Sequence, residues 1–128
     1  MGNGRILIVE DEESLLKLES IFLAAKGYKV TGVNNGRSAL DEICKEKPDL
    51  VLLDIMLPKM DGFEVCRCIK ENPETRDIPV VMLTARKTTR DYSRGLEVGA
   101  DAYITKPFKS AHIVDTIEQL LGKGRKDS

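Results

Sequence analysis

Apolar residues fall along this chain in two alternating rhythms. Ile6-Leu7-Ile8-Val9, Leu50-Val51-Leu52-Leu53 and Ile78-Pro79-Val80-Val81-Met82-Leu83 are short, nearly continuous runs, and Ala102-Tyr103-Ile104 is a shorter one. Mostly β-branched or leucine, the first three predict strands covered on both faces, as in a parallel sheet. A weaker run, Tyr28 to Val33, alternates more and suits a sheet edge. Between the runs the period changes to that of a helix. From Ser14 to Lys26, Leu15, Leu18, Phe22 and Leu23 share a face, and Gly27 stops the helix. Asn35 precedes a second helix carrying Ala39, Leu40 and Ile43, which ends before Pro48. Asp61 and Glu64 have the spacing of a capping box for a third, with Phe63, Cys66 and Ile69 inward and Asn72-Pro73 at its end. Thr88 and Asp91 open a fourth that Gly99 closes, and a fifth runs from Ser110 to Leu121.

The order is therefore βαβαβαβαβα. Strands joined by helical crossovers are parallel and the crossovers right-handed, so the expected fold is α/β, a doubly wound five-stranded parallel sheet between two helical layers. With 128 residues this is one domain, expected over residues 4–122, with 123–128 a polar flexible tail or the start of a linker.

Composition narrows the function classes. Apolar residues are 41% and charged residues 32%, the balance of a globular chain with a core. Lysine and arginine number 20 against 21 acids, so no basic excess points to nucleic acid or to an anionic membrane. No apolar run approaches the ~20 residues of a membrane span. Three cysteines and one histidine form neither a disulfide framework nor a zinc set, and fit a reducing cytoplasm.

The polar residues just past each apolar run carry the chemistry. Glu10, Asp11 and Glu12 come after the first, Asp54 after the run at 50–53, Thr84 after the next, and Thr105 and Lys106 after the last. Ligands of open α/β sheets bind outside the carboxyl ends of the strands, so these groups are expected to converge on one edge. Clustered carboxylates repel unless a cation is present, and an all-oxygen set points to Mg²⁺. The set suits phosphoryl transfer: Asp54 as the attacking carboxylate, metal and Lys106 on the phosphoryl oxygens, and Thr84 as a hydrogen-bond donor.

Glu10-Asp11, Asp54, Thr84-Ala85 and Lys106-Pro107, within ILIVEDE, DLVLLDIMLPKMDGFEV, IPVVMLTAR and GADAYITKPF, resemble the receiver domain of two-component response regulators. The resemblance runs from Arg5 to Leu121. It implies a flavodoxin-like (βα)5 three-layer sandwich with strand order 2-1-3-4-5. It also implies a phosphorylation-dependent switch that takes a phosphoryl group from a histidine kinase or phosphotransfer protein. On this chain Asp54 would be the phosphoacceptor. Glu10 (through water), Asp11, Asp54 and the backbone carbonyl of Met56 would hold Mg²⁺. Thr84, Ala85 and Lys106 would contact the phosphate, and Thr84 and Tyr103 would form the switch pair. Lys106-Pro107 is expected to be cis, with Pro58 and Gly62 shaping the loop after Asp54, Gly62 through an unusual backbone angle. The surface altered would be the fourth helix, fifth strand and fifth helix, read by a downstream protein or a fused output domain. The protein would catalyse its own phosphoryl transfer without being a turnover enzyme.

Other readings stay open on residues alone. A phosphatase with an aspartyl-phosphate intermediate wants a second acid two residues past Asp54, where Met56 stands. A protein-binding module that has lost phosphorylation usually lacks the acceptor or the lysine, and both are present. A flavodoxin-like cofactor binder wants Ser and Thr after the first strand, where this chain has acids. Without the resemblance Tyr103 reads as core, and His112 as a surface or packing residue. Arg86, Lys87 and Arg90 suit either a solvated helix start or contact with phosphate. Met56 and Arg86 flanking the approach to Asp54 lead to the expectation of slow phosphate loss. Asp101 matches a dimer-forming pattern that Arg90, Tyr92, Ala102 and Thr116 depart from, so a monomer or weak dimer is expected.

Overall fold

The computed structural model describes residues 4–123. Five parallel strands, β1 (Arg5–Val9), β2 (Lys29–Val33), β3 (Leu50–Leu53), β4 (Val80–Thr84) and β5 (Ala102–Thr105), form one sheet in the order β2-β1-β3-β4-β5. Helices α1 (Glu13–Ala25), α2 (Gly36–Lys45), α3 (Gly62–Glu71), α4 (Thr89–Glu97) and α5 (Ser110–Glu118) fill the crossovers. The expected α/β fold and strand order are observed, with β2 at an edge.

Alternation along the strands sends side chains to two cores. Leu7, Val9, Val51, Leu53, Val80 and Met82 meet α2 and α3 through Ala39, Ile43, Phe63, Cys66 and Ile69. Ile6, Ile8, Leu50, Leu52, Val81 and Leu83 meet α1 and α5 through Leu23, Ile113 and Ile117, with Leu121 just past α5. The three central strands are buried on both faces, the reason their sequences read as continuous apolar runs.

Local signals place most helix ends. Asn35 accepts a hydrogen bond from the Ser38 amide at 2.8 Å, and Thr88 from the Asp91 amide at 3.1 Å. Asp61 accepts from the Glu64 amide, but the Glu64 carboxylate pairs with Arg67 on the outer face, so the capping box is formed in one direction only. Gly27 and Gly99 follow their helices with φ of 95°, the left-handed turn that glycine takes without strain.

Several expectations are corrected. Leu18, expected inward on α1, is 49% exposed, while Glu19 beside it is 1% exposed. The fifth helix keeps α-helical bonding only to Glu118 and continues as a π-helical turn over Gln119–Lys123. That turn enters the expected tail, whose residues 124–128 lie outside the described ones. Gly62 has no left-handed φ; a Cβ there would lie 2.4 Å from the Asp54 carbonyl oxygen, so close backbone approach is what requires glycine. The left-handed residue of that loop is Lys59, with φ of 69°. Of the cysteines Cys66 is buried, its thiol pushed up to about 12 by burial, whereas Cys44 is exposed.

Candidate functional site

The carboxyl ends of β1, β3, β4 and β5 stand side by side because the strands are parallel and in register. Val9 pairs with Leu53, and Thr84 with Thr105. Glu10 and Asp54 therefore emerge next to each other, the Asp54 amide donating to the Val9 carbonyl at 3.0 Å. Lys106, one residue past β5, reaches across both. Its Nζ lies 3.3 Å from Glu10 Oε1 and 3.2 Å from Asp54 Oδ2. The Lys106-Pro107 peptide is cis, as expected.

Backbone amides hold the carboxylates from behind. Glu10 Oε2 accepts from the Glu12 amide at 3.1 Å, and Asp54 Oδ1 from the Met56 amide at 3.1 Å. Both acids are almost fully buried. Burial and then the Asp54 charge raise the Glu10 carboxyl from its ordinary value to about 7, with Lys106 opposing them. Burial works against the charge of Lys106, but Asp54 and Glu10 outweigh it and raise the ammonium. The lysine is held protonated between two acids, a fixed positive charge beside a carboxylate oxygen.

Thr84 is fully buried at the end of β4, and its Oγ1 accepts the Arg86 amide at 3.3 Å. Since the oxygen is the acceptor there, the hydroxyl proton is left to point elsewhere. Ala85, exposed, follows it. Tyr103 is half-buried, and its hydroxyl donates to the Arg86 carbonyl at 2.9 Å. Gly95 makes room for the ring, since a Cβ there would lie 2.9 Å from it. Thr84 and Tyr103, the expected switch pair, thus both bond to the main chain of Arg86, one at its amide and the other at its carbonyl.

The structure does not bring every expected residue to this centre. Asp11 is exposed, and among the described residues no three Asp, Glu, His or Cys side chains are grouped as a metal cage. The pair Glu10 and Asp54 nevertheless fits Mg²⁺, which is commonly held by one or two carboxylates and keeps several waters. Arg86 does not lie free as a lid: its guanidinium pairs with Asp91 Oδ1 at 3.0 Å and lies 5.8 Å from the centre of the Phe63 ring. Asp101 does not stand free for a partner either. Its Oδ2 accepts from Lys70 Nζ at 3.0 Å and from the Val80 amide at 2.8 Å, so it ties α3 to the sheet. His112 is exposed on α5, as its position implied.

Sequence reasoning missed Asp91 as the partner of Arg86, and it missed Glu19. Neither carboxyl oxygen of Glu19 has a hydrogen-bond partner among the described residues. Burial first, then the Glu10 charge, raise this carboxyl to about 8. The signal available was an acid on the apolar side of a helix that follows an acidic strand end.

Comparison with known proteins agrees with this geometry. The family model described as the response regulator receiver domain matches residues 6–118. The alkaline phosphatase synthesis transcriptional regulatory protein PhoP of Bacillus subtilis is 42% identical over 119 residues, 93% of this chain and 49% of PhoP. The chain spans about half the length of this relative. A solved receiver domain of a signal transduction histidine kinase from Syntrophus aciditrophicus superposes with a TM-score of 0.88 at 40% identity, covering 94% of this chain and 91% of that one. The receiver domain of the sensor histidine kinase PA1611 from Pseudomonas aeruginosa, described with magnesium coordinated in its active-site cleft, gives 0.87 at 31% identity, covering 95% and 99%. With the sheet order, the paired acids and the bridging lysine in place, the chain belongs to the response regulator receiver family of two-component signalling.

Proposed function

We propose that Asp54 is the phosphoacceptor of this receiver and that residues 4–122 form the receiver unit. The observation that carries this is the Lys106 ammonium, fixed between Glu10 and Asp54 at neighbouring strand ends. An Asp54 oxygen attacks the phosphorus of a phosphohistidine on a kinase or phosphotransfer protein. The P–N bond breaks, its electron pair returns to the imidazole, and an acyl phosphate forms. Lys106 turns from Asp54 toward a phosphoryl oxygen, and the Thr84 hydroxyl donates to another. The backbone of Ala85 lies beside them. Glu10, Asp11, Asp54 and the Met56 carbonyl would hold Mg²⁺, with Asp11 moving in to complete the set. Bound there, the cation neutralises charge on the phosphoryl group. In this role the protein catalyses its own modification and slow dephosphorylation rather than turning over a substrate.

The switch runs from Thr84 through Arg86 to Tyr103. When the Thr84 hydroxyl shifts to the phosphoryl group, its bond to the Arg86 amide is the first to be strained, and Tyr103 senses this at the Arg86 carbonyl. The α4–β5–α5 face then changes for a downstream protein or a fused output domain. PhoP is a transcriptional regulatory protein by name; this chain would act as an input, without direct contact to nucleic acid. No helix among the described residues is long and apolar enough to cross a membrane, and the reading places the chain in the cytoplasm. With Asp101 already bonded within its own chain, a monomer or weak dimer is expected. The test is incubation with acetyl phosphate and Mg²⁺ followed by intact-mass measurement. One phosphate should appear on wild type and none on Asp54→Asn, while modification of both proteins would refute the assignment.

A further inference from the structure

A cavity of about 600 Å³ opens beside Asp11. Asn34 lines it from the connection between β2 and α2, Arg37 from the first turn of α2, and Pro58, Lys59 and Met60 from the loop between β3 and α3. Lys106 is paired with Glu10 and Asp54, and Arg86 with Asp91. Arg37 and Lys59 have no ion-pair partner among the described residues. The only other charged group on the cavity wall is Asp11, the expected metal ligand.

Lys59 also stands against its backbone preference. Its φ of 69° is the one left-handed non-glycine conformation among the described residues. The Met60 amide donates to the Pro58 carbonyl at 2.7 Å across it, closing a three-residue turn of the strained kind. Glycine would make the same turn with less strain. What Lys59 adds is a cation on a cavity wall that also carries the planar fork of Arg37, which suits a phosphate or carboxylate. Pro58 and Met60 give the same wall an apolar part, and the volume is that of a small-molecule site.

Resting on the assignment of Asp54 as phosphoacceptor, we propose that this cavity is a subsite for the second anionic group of a small-molecule phosphodonor. The ligand class is an acyl phosphate carrying a further phosphate or carboxylate. That second group sits on Arg37 and Lys59 while the acyl phosphate faces Asp54. The Asp54 oxygen–phosphorus bond forms, the bond from phosphorus to the acyl oxygen breaks, and the electron pair leaves on a carboxylate with no proton moved.

The experiment has a binding arm and a transfer arm. Titration with 3-phosphoglycerate should move the amide signals of residues 34–37 and of Lys59 and Met60. With Mg²⁺ present, 3-phosphoglyceroyl phosphate should phosphorylate the protein with kcat/KM about tenfold above acetyl phosphate. Arg37→Gln and Lys59→Gly should each remove most of that advantage and leave the acetyl phosphate rate unchanged. Lys59→Gly should melt at or above the wild-type temperature, which separates loss of the subsite from loss of the fold. No amide shift, or an advantage that survives in both variants, would overturn the subsite. Amide shifts without transfer from either donor would leave the binding cavity standing and overturn the phosphoacceptor assignment and the donor role together.

Discussion

The two helical layers cover the same sheet, yet only one obeys its own sequence pattern. In the α2–α3 layer the residues at helical spacing are the buried ones: Ala39 and Ile43 on α2, and Phe63, Val65, Cys66 and Ile69 on α3. In the α1–α5 layer, α1 buries Glu19 and leaves Leu18 and Ile21 exposed at 49% and 62%. Near one strand's carboxyl end, a helix packs against charge as well as hydrocarbon. Glu10, Asp54 and Lys106 all act electrostatically on Glu19. The acid is tolerated there because it is neutral: with its carboxyl raised to about 8, it carries a proton at neutral pH. The α2–α3 layer follows its own apolar pattern, and α1 lies against the buried charges.

The contrast can be broken most forcefully in the regular layer. Phe63 is fully buried, and Phe63→Ala should destabilise the fold by about 3–5 kcal/mol in urea unfolding. A loss no greater than that of a surface change would show that α3 packs loosely. In the irregular layer the sign should reverse. Glu19→Leu should raise stability by about 2 kcal/mol near pH 8, because it removes buried oxygens without partners.

The pH dependence sharpens this second point. The Glu19 carboxyl is raised in the fold to about 8 from an ordinary 4.5, so the folded protein holds a proton that the unfolded chain releases. Its favourable contribution is complete below about 4.5 and is lost as pH climbs through about 8. Glu10, raised to about 7, acts in the same direction over a lower window. Wild type should therefore lose stability between pH 5 and 8, and Glu19→Gln should flatten the upper part of that decline. Equal slopes in the two proteins would mean that Glu19 is solvated or paired in solution.

A smaller effect concerns how the regular layer is fastened. Asp101→Ala removes the acceptor of both Lys70 and the Val80 amide and should lower stability by about 1–2 kcal/mol. It should do so in dilute monomer, which distinguishes an internal tie from a dimer contact. The smallest effect is expected on the exposed side of α1, where Ile21→Ala should stay within about 0.5 kcal/mol. A larger loss there would mean that α1 packs more tightly than its exposure suggests.

Much of this is legible in the residues themselves. Four strand ends carrying Glu10, Asp54, Thr84 and Lys106 mark the site, and Asn35, Asp61 and Thr88 mark helix starts that the structure reproduces. Legibility fails where a side chain's environment is made by distant segments. Leu18 looks inward on helical spacing alone, because the pattern within α1 carries no record of the acids above it. Asp101 looks available for a partner, because nothing near it in sequence announces Lys70, 31 residues away. Arg86 fails for a nearer reason: Asp91 is only five residues on, but the spacing does not reveal that the turn into α4 brings it to the guanidinium.

Local pattern sets the order of elements, their parallel sheet and the chemical groups at the strand ends. Each of those depends on side chains within one turn or one strand of each other, where periodicity, caps and glycines act locally. Tertiary structure decided which of those groups meet. Lys106 reaches Glu10 across 96 positions and Asp54 across 52, a closure set by strand order and register. The same closure decided protonation, because burial and neighbouring charge, not residue type, hold Glu10 and Glu19 far above an ordinary carboxyl.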